Sequence, residues 1–193
     1  MWRHTVVAIR LALLTTVLLG LVYPLVITGL AQLICPRQAN GSLVKVGRLV
    51  IGSELIGQKF TRPEYFRPRP SAASYDPTAS GGSNLGPTSR KLAERIAADV
   101  AQLARENSGL KPGKIPADMV TTSASGLDPD ISPANAYSQV ARVAKARRMS
   151  EDRVTRLVAS NVTGRQFGLL GEPRVNVLRL NRALDAASGG SSR

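Results

Sequence analysis

Histidine and cysteine are nearly absent from this chain of 193 residues. The only histidine, His4, precedes a long apolar segment, and the only cysteine, Cys35, directly follows that segment. The rest of the chain therefore cannot form a Ser-His-Asp or Cys-His catalytic arrangement, or a zinc site made of histidine and cysteine. A single cysteine also excludes an intramolecular disulfide. The sequence has no phosphate-binding loop of the form G-x-x-x-x-G-K-[ST].

Acidic and aromatic residues are also scarce. Aromatic residues make up 4% of the chain, so we expect a core of leucine, valine, isoleucine and alanine. Residues 36–193 carry 24 basic and 13 acidic residues, a net charge of +11, which suits nucleic acid or an anionic membrane surface. Residues 132–160 are predicted to form two short helices joined by "RRMSED", which resembles a basic helix-turn-helix without the usual glycine at the turn. A membrane-anchored nucleic-acid-binding protein of this kind is the alternative interpretation, and its basic residues would be Arg142, Lys145, Arg147, Arg148, Arg153 and Arg156.

Residues Leu11–Ile34 form 24 consecutive positions without a charge. About 20 apolar residues suffice to cross a bilayer, so this segment is predicted to be a single transmembrane helix. A signal peptide cleaved after Ala31 is less favoured because its apolar region would be shorter. Lipid attachment at Cys35 is disfavoured because the bulky Ile34 precedes the cysteine. Basic residues flank the segment on both sides and do not settle its orientation.

Small residues recur every four positions along this segment, at Ala8, Ala12, Thr16 and Gly20, followed by Pro24. Such spacing lets a second helix approach closely within lipid, although the stripe also winds slowly around a straight helix. These residues are candidate helix-packing positions, and a simple anchor with small residues placed by chance remains the alternative.

The remaining chain is predicted to form a mixed α/β (α+β) domain. Short strands are expected within 43–60 and at 172–180, with an extended proline-rich segment at 61–74. Helices are expected from Pro87 to Gly109, after Ser132-Pro133 and after Ser150. Asp128 and Asp130 either attract a cation or form an Asx turn, and the turn is favoured.

The segment "YDPTASGGSNLGPTS", residues 75–89, is rich in small residues but does not repeat. Glycines before a helix can bind an anion through their amides. A tight loop docked on its own domain explains the same composition. The candidate docking or nucleotide-binding loop comprises Ser80, Gly81, Gly82, Ser83, Asn84 and Gly86.

Long ordered stretches of the chain resemble the C subunit of the Kdp potassium-transporting ATPases. They include "YFRPRPSAASYDPTASGGSNLGPTS", "SASGLDPDISPANAYSQVARVAKARRMS" and "TGRQFGLLGEPRVNVLRLNRAL". The resemblance implies a non-catalytic subunit of the bacterial inner membrane, with a cytoplasmic tail at 1–10, a transmembrane helix at 11–34, a periplasmic α/β domain at 36–185 and a disordered tail at 186–193.

The same resemblance implies three protein partners: a channel-like potassium-translocating subunit, a P-type ATP-hydrolysing subunit and a small membrane peptide. Membrane lipids are the remaining expected partner, and nucleic acid is not expected. Potassium would be handled by the partner subunit. The resemblance also implies a role in assembly and a catalytic-chaperone role that raises ATP affinity, through a sequence similar to LSGGQ at Ser80-Gly81-Gly82. Here Ala79 replaces the leucine and Ser83 the glutamine, which weakens the case for direct ATP binding.

Overall fold

A computed structural model describes residues 1–107 and 110–189 and divides the chain into two compact units, residues 1–51 and 52–193. The first unit begins with a continuous helix from Trp2 to Ile34. It consists of α1 (Trp2–Val17), a π-helical turn (Leu18–Val22) and α2 (Tyr23–Ile34). No residue of this helix is buried within the described chain. The predicted apolar span thus lies inside a longer helix that includes most of the N-terminal tail.

The π-helical turn has an identifiable cause in Pro24. A proline inside a helix lacks the N–H that would bond to the carbonyl four residues earlier, here Gly20, and its ring crowds that carbonyl. The helix accommodates this with a wider turn at Leu18–Val22, directly before the proline. After Ile34 come a short helix α3 (Pro36–Ala39) and a two-stranded sheet of β1 (Leu43–Val46) and β2 (Leu49–Ser53).

The second unit contains the remaining elements. They are α4 (Arg90–Glu106), two 3₁₀ turns (Pro112–Lys114 and Ala117–Met119), β3 (Asp130–Ile131), α5 (Pro133–Arg147), α6 (Glu151–Ser160), β4 (Val162–Thr163), β5 (Arg174–Asn176) and α7 (Val177–Ala187). The three strands form an antiparallel sheet in the order β3-β5-β4, in which Val175 pairs with Ile131 on one side and Val162 on the other. The predicted combination of an apolar helix and a mixed domain is confirmed.

The core of the second unit is aliphatic, as its composition predicts. Helices α5, α6 and α7 pack together over β5, and Val143, Val154, Val158 and Leu180 are fully buried. Phe66 is the one aromatic side chain among the largest fully buried residues described. Tyr137, on α5, is 42% exposed.

Side-chain caps set several helix starts. Ser132, Ser150 and Asn176 accept hydrogen bonds from backbone amides in the first turns of α5, α6 and α7. The cap at Asn176 corrects the predicted strand at 172–180, because the chain turns helical at Val177. Helix α4 begins at Arg90 rather than Pro87, since Ser89 is its cap. The predicted end at Gly109 lies outside the described residues, and α4 ends at Glu106. Helix α7 extends to Ala187, into the first two residues of the predicted tail.

Candidate functional site

The proline-rich segment 61–70 is held by side chains of α5 and α7. Asn181 accepts a hydrogen bond from the Phe66 amide at 2.8 Å and donates one to the Phe66 carbonyl at 2.9 Å. The Gln139 side chain likewise accepts a hydrogen bond from the Arg67 amide at 2.8 Å and donates one to the Arg67 carbonyl at 3.1 Å. Two side-chain amides thus replace the neighbouring strand that an extended segment would otherwise need. The segment is fixed in place although it belongs to no regular element.

Arg142 of α5 completes this arrangement. Its guanidinium is buried and donates to the backbone carbonyls of Pro63 at 2.5 Å and Tyr65 at 3.0 Å, and to the side-chain oxygen Oε1 of Gln139 at 2.5 Å. Burial, followed by the nearby charge of Arg67, lowers the pKa of Arg142 to about 10, while Glu106 opposes the shift. The arginine remains charged at neutral pH and serves as a cross-link between elements.

A cavity of about 410 Å³ lies beside the proline-rich segment 61–70. Arg67 pairs with Glu106 on its wall, and Asp99 pairs with Arg95 at 3.3 Å. Burial raises the pKa of Asp99, and the charge of Arg95 opposes that shift. Most charged groups here are therefore compensated by the protein itself. The cavity is lined by Lys59, Phe60, Arg67, Tyr75, Asp99, Glu106 and Arg142, among others.

The sequence-predicted loop docks against a second segment of the same unit. The Gly81 amide donates to the Ser125 carbonyl at 2.8 Å, and the Ser80 hydroxyl donates to the same oxygen at 3.1 Å. A Cβ atom on Gly82 would stand 3.0 Å from the Ala124 carbonyl oxygen, so the two backbones are in close contact. This geometry favours the docked-loop interpretation for Ser80–Gly82.

The second half of this loop is more open. Asn84 is exposed with a φ of 52°, and a Cβ atom on Gly86 would meet no described heavy atom within 4 Å. The Ser83 hydroxyl lies 3.4 Å from that of Thr122. The glycines do not lead directly into a helix terminus, because α4 starts at Arg90 with Ser89 as its cap. A nucleotide or subunit contact by this loop stays a prediction.

Asp128 and Asp130, in the chain after the loop's docking partner, each pair with an arginine. Arg69 contacts Asp128 at 3.0 Å, and Arg174 contacts Asp130 at 3.1 Å. Asp128 also accepts a hydrogen bond from the Asp130 amide at 3.0 Å, which is the predicted Asx turn. Arg67 and Arg69 are therefore partly buried ion-pair partners. In the described part of the chain, no group of three or more His, Cys, Asp or Glu residues is placed to hold a metal.

The basic residues of the predicted helix-turn-helix are divided between the interior and the surface of the domain. Arg142 is buried, and Arg147 donates to the Glu64 carbonyl and to Asp185, both at 2.7 Å. Arg153 donates to the Ala187 carbonyl at 2.6 Å. Three of the six basic residues thus bind the domain itself and are not free for phosphates. Lys145, Arg148 and Arg156 are exposed, and the opposite faces of the two helices joined by "RRMSED" contribute to the core of the domain.

The candidate helix-packing residues all lie on the unburied helix of the first unit. A Cβ atom on Gly20 would meet no described heavy atom within 4 Å, so its surface is open to another chain. A π turn holds more residues than an α turn, and it therefore offsets part of the rotation that a four-residue stripe accumulates. The π turn contains Gly20 and ends two residues before Pro24.

Comparisons with known proteins match nearly the whole chain. The model of the family KdpC, "K+-transporting ATPase, c chain", matches residues 5–186. The chain belongs to the KdpC family. Potassium-transporting ATPase KdpC subunits from Myxococcus xanthus and Allorhizobium ampelinum are 58% and 59% identical, over 98% and 97% of this chain and 90% and 98% of theirs. The KdpC subunit of Caldanaerobacter subterraneus is 53% identical over 91% of both chains.

Family membership decides between the two interpretations of the sequence. The chain is a non-catalytic, membrane-bound subunit of a potassium-transporting ATPase, as the resemblance implies. Its basic charge is therefore not the mark of a nucleic-acid-binding protein. A KdpC subunit has other subunits of the ATPase as its partners.

Proposed function

We propose that the chain is an accessory subunit that assembles and stabilises an ATP-driven, high-affinity potassium uptake complex. The observation that carries the proposal is the helix Trp2–Ile34, which has no buried residue and presents small residues at four-residue spacing. A lone anchor needs no such face, whereas a subunit that packs against other helices does. The partners are a channel-like potassium-translocating subunit, a P-type ATP-hydrolysing subunit and a small membrane peptide.

The proposed orientation places the N-terminus in the cytoplasm and the domain, residues 36–185, in the periplasm of the inner membrane. The N-terminal ten residues contain Arg3 and Arg10 and no acidic residue, which is compatible with a cytoplasmic start. Since long domains cross membranes largely regardless of charge, the net charge of +11 on residues 36–193 does not oppose this orientation.

A periplasmic domain meets no ATP. Any increase in the ATP affinity of the hydrolysing subunit would then be an allosteric coupling free energy transmitted between subunits. The Gly81 amide and the Ser80 hydroxyl already donate to the Ser125 carbonyl, so they are not available to bind a nucleotide. This geometry supports the indirect form of the catalytic-chaperone role. Ser83, Asn84 and Gly86, on the more open half of the loop, are the residues proposed for a subunit contact.

Reporter fusions test the orientation. A periplasm-active reporter at the C-terminus is expected to give signal, and a cytoplasm-active reporter at the same place is expected to give none. The opposite result would reject the periplasmic domain. Assembly is tested separately by extracting cells that express all subunits in a mild detergent. The chain is expected to co-purify with the other subunits, and migration alone would reject the accessory-subunit function.

A further inference from the structure

The hairpin of β1 and β2, residues 43–50, exposes apolar side chains soon after the membrane helix ends. Leu43, Val46, Leu49 and Val50 are 49%, 52%, 69% and 47% exposed. About half or more of each residue is therefore left uncovered by the described chain. A sheet of only two strands is marginally stable in water unless its apolar side chains pack against something else. The hairpin thus needs a cover from outside the chain.

Side-chain hydrogen bonds hold the chain before the hairpin against the end of the membrane helix. Gln32 lies in the last turn of α2, and Asn40 directly follows α3. Asn40 Nδ2 donates to Gln32 Oε1 at 3.0 Å, and Gln32 Nε2 donates to Asn40 Oδ1 at 3.3 Å. Leu43 starts β1 three residues later, so its Cα atom lies at most about 11 Å from that of Asn40. The hairpin therefore begins beside the end of the span, where the headgroups of the crossed bilayer lie.

The chain around the hairpin carries only positive charge. Residues 1–53 contain no aspartate or glutamate, and the first acidic residue, Glu54, pairs with Arg179 at 2.6 Å. Lys45 and Arg48 are exposed, and the described residues give neither of them an ion pair. Apolar residues combined with unpaired cations are typical of segments that lie on anionic membranes, where headgroup phosphates supply the opposite charge.

We propose that the hairpin 43–50 lies in the headgroup region of the bilayer that the helix crosses, and that its ligand is anionic phospholipid. Lys45 and Arg48 bind headgroup phosphates, while Val46 and Leu49 enter the boundary with the acyl chains. The inference goes beyond the proposed function, since it needs only the membrane helix and no other subunit. Interfacial anchors help to set the rotation of a membrane helix, so the hairpin would fix the direction in which the small-residue face points.

Fluorescence quenching by lipid measures the depth of the hairpin. The full-length chain with Cys35→Ser and Leu49→Cys is labelled with nitrobenzoxadiazole and reconstituted in phosphatidylcholine–phosphatidylglycerol vesicles that contain a nitroxide-labelled lipid. The label is expected to be quenched at least about half as strongly as one attached through Leu33→Cys, at the exposed end of the membrane helix. Quenching no greater than that of a label attached through Thr155→Cys, at an exposed position of α6, would overturn the proposal.

Lys45→Gln with Arg48→Gln tests the charge of the lipid. Adding about 30% phosphatidylglycerol to phosphatidylcholine vesicles is expected to raise quenching of the Leu49→Cys label at least about twofold, and the double variant should lose this increase. The matched control, Lys145→Gln with Arg156→Gln, removes two exposed cations of the second unit and should keep the increase. Quenching that does not respond to phosphatidylglycerol, or that responds equally in the double variant, would overturn the assignment of anionic lipid.

Photo-crosslinking separates lipid from protein as the cover of the hairpin in the assembled ATPase. Benzoylphenylalanine replaces Leu49 in cells that express all subunits, and the products are identified by mass spectrometry. A crosslink to phospholipid is expected. Crosslinks only to another subunit, only to a second copy of this chain, or to no molecule would overturn the proposal, and each of these results would leave the accessory-subunit function intact.

Discussion

The side-chain amide of Asn181 holds both backbone polar groups of Phe66, which lies 115 positions earlier in the chain. Both residues are buried, so neither backbone group has water as an alternative partner. The contact joins the last helix of the domain to the proline-rich segment near its beginning. A short irregular segment thereby becomes part of the core.

Replacing Asn181 with alanine is expected to destabilise the domain by about 2–4 kcal/mol, because it leaves a buried donor and a buried acceptor unsatisfied. The free energy of unfolding can be measured by urea titration of the purified full-length chain. Gln102→Ala, which removes an exposed side-chain amide that donates to Glu106, should cost much less. Equal losses in the two variants would mean that the Asn181 contact contributes nothing particular to stability.

Arg142 should be irreplaceable by lysine. Its planar guanidinium reaches acceptors in Pro63, Tyr65 and Gln139 at once, and a single ammonium group cannot reproduce that geometry. Arg142→Lys is expected to lower the free energy of unfolding by about 2–4 kcal/mol, because one ammonium group leaves several of these acceptors unpaired, including the buried side-chain oxygen of Gln139. Lys145→Met, at an exposed position of the same helix, is the control and should change stability little. A stable lysine variant would contradict the cross-linking role.

The helices of this chain could be predicted from its sequence, whereas these two long-range contacts could not. The uncharged apolar run Leu11–Ile34 predicts a membrane helix, and Ser132 and Ser150 mark true helix starts, because both signals are local. Gln139 and Asn181 gave no such signal. Their partners lie 72 and 115 positions away, and nothing local distinguishes a buried side-chain amide from a solvated one.

The candidate site, too, could be predicted from the sequence only where its features are local. Arginine-rich "RRMSED" helices were consistent with a nucleic-acid surface, since sequence shows the charge of Arg147 but not its burial against Asp185. Small residues at 80–82 did indicate close backbone approach, which the contact of Gly82 with Ala124 displays. The partner segment at 122–126 could not be identified from the sequence, because its pairing with the loop is long-range.

Gly126 is expected to be the most sensitive glycine of this loop contact. Its φ of 67° is left-handed, and a Cβ atom there would lie 2.8 Å from the Gly81 carbonyl oxygen. Gly126→Ala should therefore destabilise the domain by roughly 1–3 kcal/mol, as measured by thermal unfolding. The matched control is Gly86→Ala, where no described atom lies within 4 Å and the backbone is not left-handed. A neutral Gly126→Ala variant would mean that the two segments separate readily.

Asp130 should make stability depend on pH in the acid range. Burial raises its pKa, with the charge of Arg174 opposing the shift. The folded state therefore holds more protons than the unfolded state between the ordinary pKa of aspartate, about 3.9, and the raised value, so stability falls as pH rises through that window. Asp130→Asn should flatten this part of the curve of unfolding free energy against pH. An unchanged slope would assign the titration to another group.

The last prediction concerns the membrane helix. Gly20→Leu fills an open surface at the π turn, so it should block the close approach of a neighbouring helix without disturbing contacts within the chain. Co-purification of the other subunits is expected to fall several-fold, while the free energy of unfolding of the second unit, measured by urea titration, stays unchanged. Leu19→Ile, at the adjacent exposed position, changes shape but not size and is the control. If Gly20→Leu assembles as well as Leu19→Ile, the small-residue face is not the packing surface, and the helix serves as an anchor alone.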